Sequence, residues 1–138
     1  MNVRVFTDGG ARGNPGPAGI GVVIQDASGK QIAAFGEYIG ETTNNQAEYR
    51  AMIAALERAK ALGATEVDAF ADSELLVKQL NRQYRVKNAG LAPLFVAAWS
   101  IAQSFTRCTF RHVRREQNKE ADRMVNAAID RRGSVEEQ

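Results

Sequence analysis

The 138-residue chain has one cysteine, one histidine and three prolines, and no apolar run near the roughly 20 residues of a membrane span. Cys108 cannot form an internal disulfide, and a single histidine cannot supply a cluster of imidazole ligands. The opening residues lack the long apolar core of a signal peptide. These scarcities exclude a disulfide scaffold, and they predict a cytoplasmic protein with a structural thiol and no membrane partner.

The remaining composition is that of an ordinary globular chain, with 44% hydrophobic and 25% charged residues. We expect one domain over residues 1–132, followed by a short tail at 133–138 that frays.

Charge is spread unevenly along the chain. Residues 1–81 carry a net charge of −3 and residues 82–132 a net charge of +7, while the tail adds −2. A basic C-terminal half suits a polyanionic partner such as nucleic acid. A solvated face with scattered arginines accounts for the same numbers, so charge alone does not decide between the two.

Hydrophobic periodicity predicts five strands and four helices in the order βββαβααβα. The strands are predicted at 2–7, 19–25, 31–39, 66–71 and 107–113. The helices are predicted between a Thr43 cap and a Gly63 stop, and at 73–81, 93–105 and 119–130 with an Asn118 cap. An opening meander followed by alternating strands and helices predicts an α/β fold with a five-stranded mixed sheet flanked by helices.

A glycine-rich segment, TDGGARGNPGPAGIG, occupies residues 7–21. Its triplet rhythm is too short for a collagen triple helix. It lacks the Gly-Lys-Ser/Thr ending of a P-loop, and a strand follows it instead of a helix. We interpret it as a turn that leaves the first strand at Asp8, with glycines that allow positive φ and close approach of a sugar-phosphate backbone.

Two acids follow predicted strands directly. Asp8 ends the first strand and Asp72 ends the fourth, and ligand groups of α/β sheets gather at such strand ends. Aspartate is also common in turns and at helix starts, so each residue alone could be a cap.

Two further acids lie on apolar helix faces. Glu48 shares a stripe with Met52 and Ala55, and Asp122 shares one with Val125 and Ile129. A buried carboxylate needs a partner, which could be a helix terminus, an arginine or a bound cation.

A cluster of these four acids would favour a metal site. Adjacent carboxylates repel one another and raise each other's pKa unless a cation lies among them. Oxygen ligands without a histidine or cysteine cluster favour Mg²⁺, with Mn²⁺ as an alternative, over Zn²⁺. Such a site suits two-metal hydrolysis of a phosphodiester, with the ions roughly 4 Å apart.

The chain resembles ribonuclease H of type 1 over about residues 2–130, through four motifs in order. They are FTDGGARGNPGPAG at 6–19, TTNNQAEYRA at 42–51, ADSELLVKQL at 71–80 and REQNKEAD at 115–122. The resemblance implies the ribonuclease H fold and a monomer that cleaves the RNA strand of RNA/DNA hybrids, leaving 5′-phosphate and 3′-hydroxyl ends. It also implies two Mg²⁺ ions held by the four catalytic acids, Asp8, Glu48, Asp72 and Asp122.

The resemblance implies hybrid contacts as well. Amide side chains at Asn14, Asn45 and Gln46 match positions near the minor groove, where the RNA 2′-hydroxyl both donates and accepts. Backbone contacts are expected at Arg12, Gly13, Thr43 and Asn44. Asn44 and Asn45 could instead only fill the first helical turn.

Two departures place the chain nearer the archaeal and plant-like branch. Only REQN at 115–118 precedes the last helix, where many bacterial members carry a histidine-containing loop, and His112 falls within a predicted strand. Arg115 or Glu116 is the candidate for an auxiliary role near the scissile phosphate. The basic protrusion of many bacterial members is reduced to NRQYRVKNAGL at 81–91, where Arg82, Arg85 and Lys87 are either weak backbone contacts or ordinary solvated charges.

Two rival functions remain open at this point. A transposase, integrase or resolvase acting on DNA would use a similar acid cluster, but usually needs additional binding parts. A binding module without turnover would not need inward-facing acids. Weak activity on double-stranded RNA is compatible with the resemblance.

Overall fold

The computed structural model describes residues 1–137, which form six strands and four helices. The strands are β1 (Asn2–Ala11), β2 (Gly16–Asp26), β3 (Gln31–Thr42), β4 (Glu66–Ala71), β5 (Arg107–His112) and β6 (Ser134–Glu137). The helices are α1 (Asn44–Ala61), α2 (Glu74–Leu80), α3 (Ala92–Gln103) and α4 (Lys119–Arg131), with a 3-10 turn at Arg115–Gln117. The predicted α/β class and the order of the first nine elements are confirmed. Among the helices of residues 1–137, none combines the length and the apolarity that crossing a membrane requires.

The strands form one mixed sheet in the order β5-β4-β1-β2-β3-β6. The central strand β1 pairs antiparallel with β2 and parallel with β4. Its pairing with β4 ends at Thr7↔Ala71, whereas its pairing with β2 continues to Ala11↔Ala18. The prediction that the first strand ends at Asp8 is therefore wrong. The antiparallel partner extends the strand, and Asp8 lies inside it opposite Gly21.

Helix α1 begins and ends where its local signals place it. The Thr43 side chain accepts a hydrogen bond from the Gln46 amide at 3.2 Å, as an N-cap does. Leu62 is the C-cap, and Gly63 follows with a φ of 89°. The buried face of α1 packs Met52 and Leu56 into the main core, so the helix is held over β1 and β2.

Glycines in the sheet let two helices approach it on opposite faces. A Cβ on Gly9 would overlap the Ala47 carbonyl of α1, and a Cβ on Gly21 would overlap the Ala121 carbonyl of α4. Gly21 lies opposite Asp8, the neighbour of Gly9, and adjacent residues of a strand point to opposite faces. Helices α1 and α4 therefore pack on opposite faces of the sheet. The group that approaches Gly9 closely is therefore the backbone of α1, whereas we had expected the glycines of this segment to admit a sugar-phosphate backbone. Gly13 in the turn does have a positive φ, of 103°.

The predicted fraying of the C-terminal tail is wrong for residues 134–137. They form β6, which pairs antiparallel with β3 and makes the sheet six-stranded instead of five-stranded. Arg123 donates to both carboxylate oxygens of Glu137, at 2.7 and 2.8 Å, and Arg58 donates to Glu136 at 3.1 Å. Sequence periodicity missed this strand because Val135 is its only apolar residue. Gln138 lies outside the described residues.

We expect deletion of residues 134–138 to lower the free energy of unfolding by about 1–2 kcal/mol. The deletion removes the four residue pairings between β3 and β6. It also removes the surface ion pairs of β6, which stabilise the fold by about 1 kcal/mol or less each. Thermal melts of the truncated and full-length chains measure the difference. Arg123→Gln in the full-length chain should reproduce only part of it, and an unchanged melting temperature on truncation would contradict a stabilising role for β6.

Candidate active site

Three carboxylates from three elements meet beside the centre of the sheet. Asp8 lies in β1, Glu48 near the start of α1, and Asp72 directly after β4. One side-chain oxygen of each lies within 4.8 Å of the others. Asp8 and Glu48 are each only 9% exposed, and Asp72 is half-buried. The fold thus brings together three of the four acids that the sequence singled out.

Asp122 reaches the same cleft from α4, but it is exposed and does not lie on the buried side as we had expected. The residues of α4 that face the sheet are Ala121, Met124, Val125, Ala128 and Ile129. Asp122 lies at the edge of this stripe, in the first turn, where it borders the cleft instead of the sheet. It is close enough to Asp8 to add to the rise in the pKa of that residue.

The four acids line a cleft of about 430 Å³. Its other polar lining comes from Arg12, Asn44, Asn45, Ser73, Arg115 and Asn126. Asp8, Glu48 and Asp72 form the less exposed floor of the cleft, and exposed residues, including Asp122, the asparagines and the arginines, form its rim.

Burial and mutual repulsion keep protons on this cluster. Burial is the largest cause that raises the pKa of Asp8 to about 8, followed by the charge of Asp72, and the Arg115 guanidinium opposes the shift. Burial likewise raises the pKa of Glu48 well above its usual value, and the charges of Asp8 and Asp72 add to it. The Gly9 amide donates to the Glu48 carboxylate at 2.6 Å, which orients it without neutralising the cluster.

The donor set fits a hard divalent cation. The clustered ligand atoms are all carboxylate oxygens, and a divalent cation would offset the repulsion that raises their pKa values. The single histidine, His112, is exposed at the end of β5, and Cys108 is a half-buried thiol whose pKa burial raises to about 12. Neither residue lines the cleft.

In the metal-free protein, we expect stability to fall as the pH rises. Asp8 titrates near 3.8 in the unfolded chain and near 8 in the folded one, so between these values the folded chain holds the extra proton. Raising the pH removes that proton and the stability linked to it. Because the pKa of Glu48 is also raised, its deprotonation lowers the stability of the folded chain in the same way. Melting temperatures in EDTA should decline from about pH 5 to about pH 9.

The other shifted carboxyl groups do not obscure this interval. Their pKa values are lowered, chiefly by side-chain hydrogen bonds, so the stability they contribute is lost only as the pH falls below about 4.5. Added Mg²⁺ should restore the melting temperature more at pH 9 than at pH 5. A melting temperature in EDTA that rises with pH would contradict the proposed protonation.

Two asparagines join the turn between β1 and β2 to the start of α1. The Asn14 side chain accepts from the Asn44 amide at 3.0 Å, and the Asn44 side chain accepts from the Ala11 amide at 2.8 Å. Both side chains use their oxygen in this way. Asn45 is exposed and lines the cleft, so its amide is accessible to a ligand there.

The other candidate contacts of this region have structural partners. The Arg12 guanidinium donates to Asp130 at 2.6 Å and to Asn126 at 3.1 Å, which ties the turn to α4. Thr43 caps α1, and the Gln46 side chain accepts from the Thr42 hydroxyl. Gly13 lies in the turn next to Arg12.

The remaining candidates fall on different surfaces. Arg115 lines the acid cleft, whereas Glu116 lines a separate depression of about 220 Å³ with Phe6. Arg82 and Arg85 border another depression, of about 440 Å³, and Lys87 is exposed on the same loop.

Sequence reasoning was right about the position of one asparagine and missed another. Asn118 is the N-cap residue of α4 as predicted, but its side chain makes no capping bond and instead donates to the Thr7 carbonyl at 2.8 Å. Asn126 accepts from Arg12 and donates to the Asp122 carbonyl at 3.1 Å. Its position four residues after Asp122, on the same side of a helix, was the available signal.

Comparisons with known proteins agree with this fold and cleft. The model of the reverse transcriptase-like family matches residues 6–128. Ribonuclease H1 of the archaeon Halobacterium salinarum is 39% identical with a TM-score of 0.93, covering 95% of this chain and 99% of that one. The chain belongs to the reverse transcriptase-like family, and within it to the type 1 ribonucleases H.

Two further solved ribonucleases H are similar to this chain. The N-terminal ribonuclease H domain of a Mycobacterium tuberculosis protein is 44% identical with a TM-score of 0.91, covering 94% of this chain and all of that one. LC11-RNase H1, isolated from compost and solved in complex with an RNA/DNA hybrid, is 46% identical with a TM-score of 0.90, covering 94% of this chain and 98% of that one. The chain spans 36% of the length of the M. tuberculosis bifunctional protein and 64% of the curated Halobacterium protein.

Proposed function

We propose that this protein is an endoribonuclease that hydrolyses the RNA strand of RNA/DNA hybrids and leaves 5′-phosphate and 3′-hydroxyl ends. The observation that carries the proposal is the convergence of Asp8, Glu48 and Asp72 in the cleft of a type 1 ribonuclease H fold. The relative solved with an RNA/DNA hybrid supports the substrate class.

The four acids would hold two Mg²⁺ ions, or Mn²⁺ in their place. When bound, such ions supply an activated water as nucleophile and stabilise the leaving oxygen. The chain's own residues prepare the site. The Gly9 amide fixes the Glu48 carboxylate at 2.6 Å, and the positive charge of Arg115 partly opposes the rise in the pKa of Asp8.

We propose that the rim of the cleft reads the hybrid. Asn45 is exposed there. The oxygens of Asn14 and Asn44 accept backbone bonds, whereas their NH₂ groups donate no hydrogen bond within residues 1–137 and can serve a ligand. An amide can donate to the 2′-hydroxyl or to a base acceptor in the minor groove. Arg12 would meet phosphates only by leaving Asp130, so we assign it chiefly to shaping the turn.

The basic loop after α2 would add weak phosphate contacts. Arg82, Arg85 and Lys87 are exposed, and none of them forms an ion pair within residues 1–137. Such contacts contribute little singly and weaken with salt.

The deciding experiment incubates labelled RNA/DNA hybrid, DNA duplex and RNA duplex with the protein, with Mg²⁺, Mn²⁺ or EDTA. We expect cleavage of the RNA strand of the hybrid with metal, none in EDTA, and at most weak cleavage of the RNA duplex. Asp8→Asn prepared in parallel controls for contaminating nucleases. Cleavage of the DNA duplex instead would favour a transposase-like activity, and hybrid binding without cleavage would favour a binding module.

A further inference from the structure

Asn118 joins three parts of the acid cleft. It is 2% exposed and lies between the 3-10 turn that carries Arg115 and the helix that carries Asp122. Its backbone amide donates to the Arg115 carbonyl at 3.0 Å, and its carbonyl accepts from the Asp122 amide at 3.1 Å. Its side-chain amide donates to the Thr7 carbonyl at 2.8 Å, one residue before Asp8.

Asn118 contacts Thr7 at the point where the pairing of β1 with β4 ends. The last pairing of β1 with β4 is Thr7↔Ala71, and β4 ends there. Asp8 therefore begins the part of β1 that lacks this neighbour. The Asn118 side chain crosses from α4 to β1 at this point.

The Asn118 amide is only half satisfied. Its Oδ1 is buried and has no hydrogen-bond partner among residues 1–137. A buried acceptor without a partner destabilises the fold, and a leucine of nearly the same shape would remove that acceptor, although it would also take the donor away from the buried Thr7 carbonyl. The other buried amide side chain of residues 1–137, Gln79, differs because it accepts from the Tyr49 hydroxyl at 2.6 Å and donates to the Arg85 carbonyl at 3.4 Å.

We propose that Asn118 is a positioning residue of the cleft. Its side chain sets the separation between the strand carrying Asp8 and the helix carrying Asp122, at a cost in stability. It does not touch substrate, and it acts through the placement of these acids and of Arg115. The inference rests on the proposed function for its kinetic readout, but its metal-binding readout does not.

The test compares Asn118→Leu, which removes both the donor and the unpaired acceptor, with Asn118→Ser, which keeps a donor. For Asn118→Leu we expect kcat on the hybrid to fall by about tenfold or more with KM within about threefold of wild type. We expect Mn²⁺ affinity, measured by calorimetric titration, to fall by about tenfold. The melting temperature should stay within about 3 °C of wild type, because removal of the unpaired acceptor offsets loss of the bond to the Thr7 carbonyl, and Asn118→Ser should recover part of both losses.

Gln79→Met is the matched control, because it removes a buried amide that does not line the acid cleft. It should lower the melting temperature while kcat and Mn²⁺ affinity stay at wild-type values. Wild-type kcat and Mn²⁺ affinity in Asn118→Leu would overturn the proposal. So would losses in the Leu and Ser variants that follow only the fraction of unfolded protein. If the wild type cleaves no hybrid, the proposed function fails, and the Mn²⁺ titrations still decide the role of Asn118.

Discussion

Asp8→Asn is expected to reduce hybrid cleavage by about 1,000-fold or more while hybrid affinity stays within about threefold of wild type. Asp8 is one of the three acids whose ligand oxygens lie within 4.8 Å of one another, and Asp122 lines the same cleft. Asparagine keeps the shape but loses the charge that a divalent cation requires. Single-turnover cleavage and fluorescence anisotropy with a labelled hybrid measure the two quantities separately.

The same substitution should stabilise the metal-free protein. Removing one charge from mutually repelling carboxylates is expected to raise the melting temperature in EDTA at pH 8 by about 3–10 °C. The stabilising effect of Mg²⁺ should shrink in the variant. Glu57→Gln, on an exposed position of α1, is the matched control and should change neither activity nor melting temperature. Cleavage by Asp8→Asn at the wild-type rate would remove Asp8 from the mechanism.

Gly9→Ala is expected to lower the free energy of unfolding by about 2–3 kcal/mol and cleavage by about tenfold or more. An added Cβ would overlap the Ala47 carbonyl and crowd the Glu48 amide, so α1 must move away from β1. The bond from the Gly9 amide to the Glu48 carboxylate, 2.6 Å in the wild type, would then lengthen. Denaturant unfolding and cleavage assays measure the two effects.

Gly10→Ala provides a matched control on the adjacent residue. Its added Cβ would face α4 and come no closer than 3.9 Å to Val125, which is an ordinary contact. We expect near-wild-type stability and cleavage. Equal losses in the two variants would show that any side chain added to this part of β1 is harmful, and that Gly9 has no special role in seating α1.

Local signals explain why much of the fold was predictable. The alternation in EVDAFA predicted β4 at its observed bounds, Glu66–Ala71. Thr43 and Gly63 marked the ends of α1 because a cap and a positive-φ glycine act through neighbouring residues only. The inward orientation of Glu48 followed from the helical period, and the structure confirms its burial.

The errors arose where distant partners decide the outcome. The first strand runs through Asp8 to Ala11 because β2 pairs with it that far. Residues 134–137 form a strand because β3 offers an edge and two arginines bind its acids. Asp122 has the helical spacing of a residue that packs against the sheet. It is nevertheless exposed, because its side of α4 borders the cleft.

The sequence by itself determined the helix and strand order and the four acids worth testing. Periodicity, caps and carboxylates on apolar faces can be recognised from residues that are close together in the chain. Only the tertiary structure decided that three of those acids lie within 4.8 Å, that Arg115 and not Glu116 faces them, and that Asn118 spans from α4 to β1. These facts depend on residues far apart in the chain, whose distances are set by the packing of helices on a sheet.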